Sequence, residues 1–264
     1  MNFIFIVCLV GLVLAVFQDF KRREIDDWLN LFLLFSGILV ILLFREYNIA
    51  SLGFFIFLTA GISFLFTKGR VFSGGDSKLL FALSPFFYSF NFVSSFFNFG
   101  IFIFLLLLSG SIYGVVYSLF FFIKNFSKVK KYFLQILSKK YSIGFFILAF
   151  IFLVLGFFDY FFILFAVFIL FIIILFSITL SLDKNVMNFE LSTRDLWEED
   201  ILTRDLRVGK IIFKSGKRLN SDQVDFLRKK NLRCIIKDGI PYALSFLIAF
   251  IFYAFRNKLF SYFF

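Results

Sequence analysis

The sequence predicts an all-α polytopic membrane protein of about 8 spans with its N-terminus outside, carrying a small cytoplasmic α+β insertion before the last span. Three observations lead there. Of the 264 residues, 61% are hydrophobic and the mean hydropathy is +0.94, whereas a soluble globular domain holds roughly 45–50% apolar residues. Apolar runs close to the 17–25 residues needed to cross a hydrocarbon core recur along the chain. The basic residues between those runs are sorted to alternate loops.

The runs fall at about 2–18, 28–44, 50–66, 79–93, 98–123, 142–158, 160–182 and 240–256. The first lacks a basic n-region and a small-residue cleavage site, so it reads as a retained helix and not as a signal peptide. Pro85 and several serines interrupt the fourth. As one helix, 142–182 overshoots a bilayer about twofold at 1.5 Å per residue, so a hairpin turning near Asp159 is expected. The last run opens on Pro241, a residue suited to a helix start.

The polar segment 183–239 holds thirteen Lys/Arg and ten Asp/Glu. Within it "DLWEEDILTRDL" reads as a short amphipathic helix, and "RVGKIIFKSGKRL" as a strand running into a Ser215-Gly216 turn. "NSDQVDFLRKKN" reads as a helix capped by Ser221 with Val224 and Leu227 on one face, followed by "LRCIIK" as a strand. The expected domains are a membrane-embedded core at 1–182, a cytoplasmic α+β domain at 183–239 and a C-terminal transmembrane helix at 240–264. A unit of about 57 residues is marginal on its own and is expected to lean on the membrane part.

Charge sets the orientation. With the N-terminus outside, twelve basic residues fall in the inner loops: Lys21, Arg22, Arg23, Lys68, Arg70, Lys78, Lys124, Lys128, Lys130, Lys131, Lys139 and Lys140. Only Arg45, Arg256 and Lys258 fall outside. This positive-inside asymmetry accounts for much of the +11 net charge without a nucleic-acid partner. The absence of histidine excludes Ser-His and Cys-His hydrolases and His-ligated zinc sites. Cys8 and Cys234 lack CxxC spacing, so no disulfide framework, metal or cofactor is expected. The fifty phenylalanines suit lipid-facing positions.

The seventeen acids can be sorted exhaustively. Ten lie in 183–239, Glu46 and Asp159 in outer turns, and Glu24, Asp26 and Asp27 in the first inner loop. Asp19 and Asp76 remain, each where an apolar run meets a cytoplasmic loop. An ionisable group at membrane depth is costly unless paired or used. The plain alternative is a helix-end ion pair, Asp19 with Arg22 or Arg23 and Asp76 with Lys78. Gly74-Gly75 before Asp76 offers a backbone that can take positive φ and admit an extended chain. Two carboxylates brought together cannot both ionise easily, so one holds a proton while the other activates water, which is the chemistry of aspartic peptide hydrolysis. Two rival readings stay open. One is a Ser-Lys hydrolase using Ser73 or Ser77 with Lys78, and the other a small transporter or channel using Asp19 and Asp76.

"DFKRREIDDWLN" (19–30) and "SGGDSKLLFALSPFF" (73–87) resemble the two catalytic segments of the prepilin peptidases and archaeal preflagellin peptidases, GxGD-type aspartic membrane peptidases. The resemblance covers about residues 1–120, and "IKDGIPYALSFLIAF" resembles the C-terminal part of the archaeal members more loosely. It implies Asp19 and Asp76 as the catalytic pair, with Gly74, Gly75 and Lys78 supporting the motif. Lys78 would either orient Asp76 or contact lipid headgroups. The implied substrate is a pilin-like or archaellin-like precursor with a short basic leader, cut at the cytoplasmic face of the cell membrane. Glu24, Asp26 and Asp27 would attract that leader or else pair with Lys21, Arg22 and Arg23. Two departures stand out: Ser73 replaces the first motif glycine, and Asp26 replaces a common proline. No counterpart of the bacterial cysteine-rich insertion is found, which implies a peptidase without N-methyltransferase activity.

Overall fold

The computed structural model describes residues 3–44, 47–69, 71–196, 200–209, 211–237 and 239–263. Arg45, Glu46 and Arg70 of the predicted loops and residues 197–199 of the predicted amphipathic helix lie outside the described residues, as do the side chains of Arg256 and Lys258. The protein is mostly helical (74%) and divides into two compact units, residues 1–113 with 240–264, and residues 114–239.

The first unit is built from helices α1 (Phe3–Arg22), α2 (Asp27–Phe44), α3 (Ile49–Lys68), α4 (Gly74–Leu83), most of α5 (Phe92–Lys124) and the C-terminal α10 (Ala243–Phe263). Its centre is an apolar cluster that includes Leu12, Leu29, Leu33, Leu79, Leu80, Phe87, Phe102 and Phe246. The outer faces are apolar as well: Phe35, Phe57, Phe97 and Phe104 are all exposed. A chain that is apolar inside and out has hydrocarbon as its solvent. There an unpaired hydroxyl is costly. Thr59 Oγ1 on α3 accordingly donates to Ser84 Oγ at 3.1 Å, and Ser109 Oγ on α5 to the Ser245 carbonyl on α10 at 3.0 Å.

The helix boundaries follow local chemistry. The Asn48 side chain accepts the Ser51 amide and caps α3. The Ser73 hydroxyl accepts the Asp76 amide and caps α4. That cap starts the helix at Gly74, and Pro85 ends it in a 3-10 turn at Ser84–Phe87, because proline lacks the donor that would continue the ladder. The predicted run 79–93 is therefore not one continuous helix: it is the end of α4, a tight turn, and the start of α5.

Among the described residues α3, α5 and α8 (Phe161–Asn185) are long and apolar enough to cross a membrane, and a fourth crossing results if α6 (Phe126–Leu137) and α7 (Lys140–Leu155), bent by 70° at their junction, count as one. Shorter apolar helices occupy Asp27–Leu43 and Ala243–Phe255.

In the second unit, α7 and α8 form the expected hairpin, with Asp159 Oδ1 accepting the Phe161 amide at 2.9 Å in the turn and Phe152 against the rings of Phe162 and Phe165. The basic loop predicted after α5 instead contains α6. It buries Val129 and Ile136 and leaves Lys128, Lys130 and Lys131 exposed. Val129 joins Ile178 and Leu182 of α8 in a small apolar cluster.

The polar segment folds as two antiparallel strand pairs and a helix: β1 (Asn188–Ser192) pairs with β4 (Arg233–Lys237), β2 (Leu206–Val208) with β3 (Ile211–Phe213), and α9 spans Ser221–Arg228. Val224 and Leu227 of α9 are buried as expected. Three details differ from expectation. The cap of α9 is Asn220, in a reciprocal pairing with Gln223, and not Ser221. Gly209, at φ +61°, turns the strand predicted through "RVGKIIF" into a hairpin. The predicted helix "DLWEEDILTRDL" is replaced, where described, by the end of a 3-10 turn at Asp195 and single bridges from Ile201 to Arg218 and from Leu202 to Ile236. The second turn, at Ser215-Gly216, forms as read, and the Ser215 amide donates to Asp205 at 2.7 Å, holding that carboxyl below its usual range.

Gly110 on α5 leaves the space that the Tyr242 phenol occupies, because a Cβ there would collide with the ring. Gly110→Ala is expected to destabilise the first unit by about 1–3 kcal/mol through overpacking, read as a lowered Tm of the detergent-solubilised protein. An unchanged Tm would show that Tyr242 moves aside freely.

Candidate functional site

The last turn of α1 carries Asp19, and the helix stops three residues later because Arg23 takes a left-handed φ of +60°. Asp26 then fastens the loop. It exchanges two hydrogen bonds with Gln18, its amide donating to Oε1 and its Oδ2 accepting from Nε2, both at 3.0 Å. Oδ2 also accepts the Trp28 indole N–H at 3.0 Å, and Arg22 lies 3.7 Å away. Asp26 thus does by side-chain bonding what a rigid ring does by fixing φ.

Asp19 is buried, 7% exposed, at the end of α1 where the helix dipole is negative and disfavours a carboxylate. Its Oδ2 accepts the backbone N–H of Ala243 at 2.8 Å. Ala243 is the first residue of α10, so the carboxylate faces the positive end of another helix.

Asp76 is the third residue of α4 and half-buried. Its Oδ2 accepts the Ser73 hydroxyl at 2.7 Å and the Ser73 amide at 3.3 Å, completing a reciprocal cap with the bond from the Asp76 amide to Ser73 Oγ. Serine at the position of the first motif glycine therefore starts the helix and contacts the carboxylate. Neither Gly74 nor Gly75 takes the positive φ suggested by the sequence; both enter the first turn of α4. A Cβ on Gly75 would meet Ile25 N and Ser73 Oγ at 3.9 Å, an ordinary contact, so this chain alone does not require glycine there.

Lys78 Nζ donates to Asp27 Oδ1 at 2.7 Å, joining α4 to the start of α2. That bond points the Lys78 ammonium at Asp27 and not at the Ser73 or Ser77 hydroxyl that the Ser-Lys reading needs it to reach. Of the three acids considered for attracting a basic leader, Asp26 is committed to Gln18 and Trp28 and Asp27 to Lys78.

The segment leading into α10 borders both aspartate-bearing elements: Ala243 donates to Asp19, and its neighbour Tyr242 packs on the residues leading into α4. Tyr242 packs its ring on Phe72 at 5.5 Å, four residues before Asp76. These contacts from 242–243 were missed by sequence reasoning, and the loose likeness of "IPYALS" to archaeal C-termini was the only signal for them. Also missed was Asn30, in the first turn of α2; its polar side-chain atoms, like the hydroxyl of Ser77 next to Asp76, are buried without a hydrogen-bond partner among the described residues. No group of three or more His, Cys, Asp or Glu able to hold a metal occurs among the described residues.

Residues 6–123 fit the model of the Type IV leader peptidase family, a stretch that runs from α1 to the end of α5 and contains both Asp19 and Asp76. Neither a curated protein nor a solved structure matches the chain significantly. Over residues 6–123, a stretch that holds several of its apolar helices, the chain is similar to the Type IV leader peptidase family.

Proposed function

We propose that the chain is an aspartic-type membrane endopeptidase that removes the short basic leader from pilin-like or archaellin-like precursors, with Asp19 and Asp76 as the catalytic pair. The family carries the coarser part, a leader peptidase acting on pilin-type precursors. The observation that supports the finer part is that the start of α4, which carries Asp76, lies against the loop that follows Asp19, the Cβ position of Gly75 being 3.9 Å from Ile25 N.

In this reading the ionised aspartate takes a proton from water as the oxygen bonds to the scissile carbonyl carbon, and the protonated aspartate gives its proton to the carbonyl oxygen. The tetrahedral diol then collapses: one hydroxyl proton returns to an aspartate, the other aspartate's proton passes to the nitrogen, and the C–N bond breaks. Water is consumed and no cofactor takes part. The substrate, an extended segment leading into an apolar helix, lies along Gly74 and Gly75, whose lack of side chains lets a second backbone approach. Asn30 and Ser77 supply polar groups at the same end for that backbone or for water. Active-site residues face the cytoplasm of the cell membrane, as the basic loops favour. The full arrangement is about 8 spans with residues 183–239 as a cytoplasmic domain.

Two tests follow. In membranes containing a pilin-type precursor, Asp19→Asn and Asp76→Asn are each expected to lower leader removal about a hundredfold or more while inserting normally, read from precursor mobility on gels. Processing that survives either substitution removes that carboxylate from the chemistry. At the helix cap, Ser73→Gly is expected to cost only a few tenths of a kcal/mol, and Ser73→Ala about 1 kcal/mol, because glycine tolerates the cap position and alanine does not. Equal Tm values for the two variants would refute the capping account.

A further inference from the structure

We infer that the backbone amide of Ala243, at the start of α10, is a positioning group of the aspartate site that holds the Asp19 carboxylate in place and ionised. The inference rests on the reading of Asp19 and Asp76 as the catalytic pair, and it adds a member from the opposite end of the chain, well beyond the stretch that matches the family.

The geometry is specific. The N–H of Ala243 is 2.8 Å from Asp19 Oδ2, Asp19 is 7% exposed and Ala243 is fully buried, so water does not replace either partner. A first-turn amide has no acceptor within its own helix, and in apolar surroundings it needs one. Asp19 in turn sits at the unfavourable end of α1 and needs a donor to stay charged. Each group answers the other's deficit. α10 spans 21 residues, long enough to present a full dipole at that amide.

The donor is also held still. Ser245 N–H closes the first turn onto the Tyr242 carbonyl at 2.9 Å, and the Ser109 hydroxyl binds the Ser245 carbonyl at 3.0 Å. The Tyr242 hydroxyl points to the Leu106 carbonyl at 3.4 Å, over the space left by Gly110. Phe72 packs against both Tyr242 and Phe246. Since Phe72 leads into the Ser73 cap of α4, one clamp sets the donor for Asp19 and the approach to Asp76.

The test substitutes Ala243→Pro in the full-length protein. Proline deletes the N–H, and its φ suits a first-turn position; Ala243→Gly keeps the amide and serves as control. The initial rate of leader removal from a purified pilin-type precursor is followed against pH in lipid nanodiscs. The charged and titratable groups at this end are Lys21, Arg22, Arg23, Glu24 and Asp26 on α1 and its loop, Asp27 on α2, Lys68 on α3, Asp76 and Lys78 on α4, and Tyr242. All are the same in the variants compared, so a difference between Pro and Gly reports the amide. Loss of a donor to a carboxylate raises its pKa, so the acid limb of the proline variant is expected to move up by roughly one pH unit, with the rate above it largely kept and the glycine variant's limb unmoved. A proline limb coincident with wild type overturns the inference. Difference infrared spectroscopy of wild type against Asp19→Asn at neutral pH gives an independent reading that leaves Ala243 untouched: an ionised carboxylate band lost with Asp19 supports the inference, and a protonated carboxyl band lost overturns it. Normal cleavage by Asp19→Asn would instead refute the catalytic pair itself, which keeps the two failures distinct.

Discussion

The first unit is organised around one requirement, that a carboxylate buried at the wrong end of its own helix must be answered by a donor from elsewhere. Asp19 meets that requirement through the Ala243 amide. Once α10 is committed to this bond, the rest of its placement is constrained. Tyr242 has to fit over Gly110, Ser245 has to meet Ser109, and Phe246 has to enter the cluster of Phe72 and Phe102. In hydrocarbon the apolar contacts alone discriminate poorly between packings, since lipid tails satisfy the same surfaces. The polar bonds between α1, α5 and α10 supply the register.

Much of this was legible in the sequence, for an identifiable reason. Charges are so scarce in the apolar runs that Asp19 and Asp76 stand out by elimination. The hairpin at Asp159 and the helix bearing Val224 and Leu227 were legible because length limits and periodicity are local properties. The bond from Asp19 to Ala243 left no mark, because every residue except proline has an amide and nothing in the side chain of an alanine advertises its use.

Other misreadings have equally concrete causes. Lys78 was linked to Asp76 because the two are close in sequence, but on a helix residues two apart point in different directions, and Lys78 reaches Asp27 on α2 instead. The glycine pair before Asp76 read as a turn, whereas Ser73 had already capped the helix and drawn both glycines into it. Helix α6 was hidden by its own lysines: Val129, Phe133 and Ile136 recur at helical spacing, yet the charge between them marked the segment as a loop. Ile201 and Leu202 mimic one face of a helix but serve as single bridging residues.

The first unit is discontinuous in sequence, with residues 114–239 inserted between its two parts. During synthesis at about 5–20 residues per second, that insertion alone takes roughly 6–25 s, and it falls between both aspartates and the donor of Asp19. Through this interval a newborn chain holds both carboxylates in the membrane without the helix that fixes one of them. The bond between Ala243 and Asp19 therefore closes only after the whole second unit has been made.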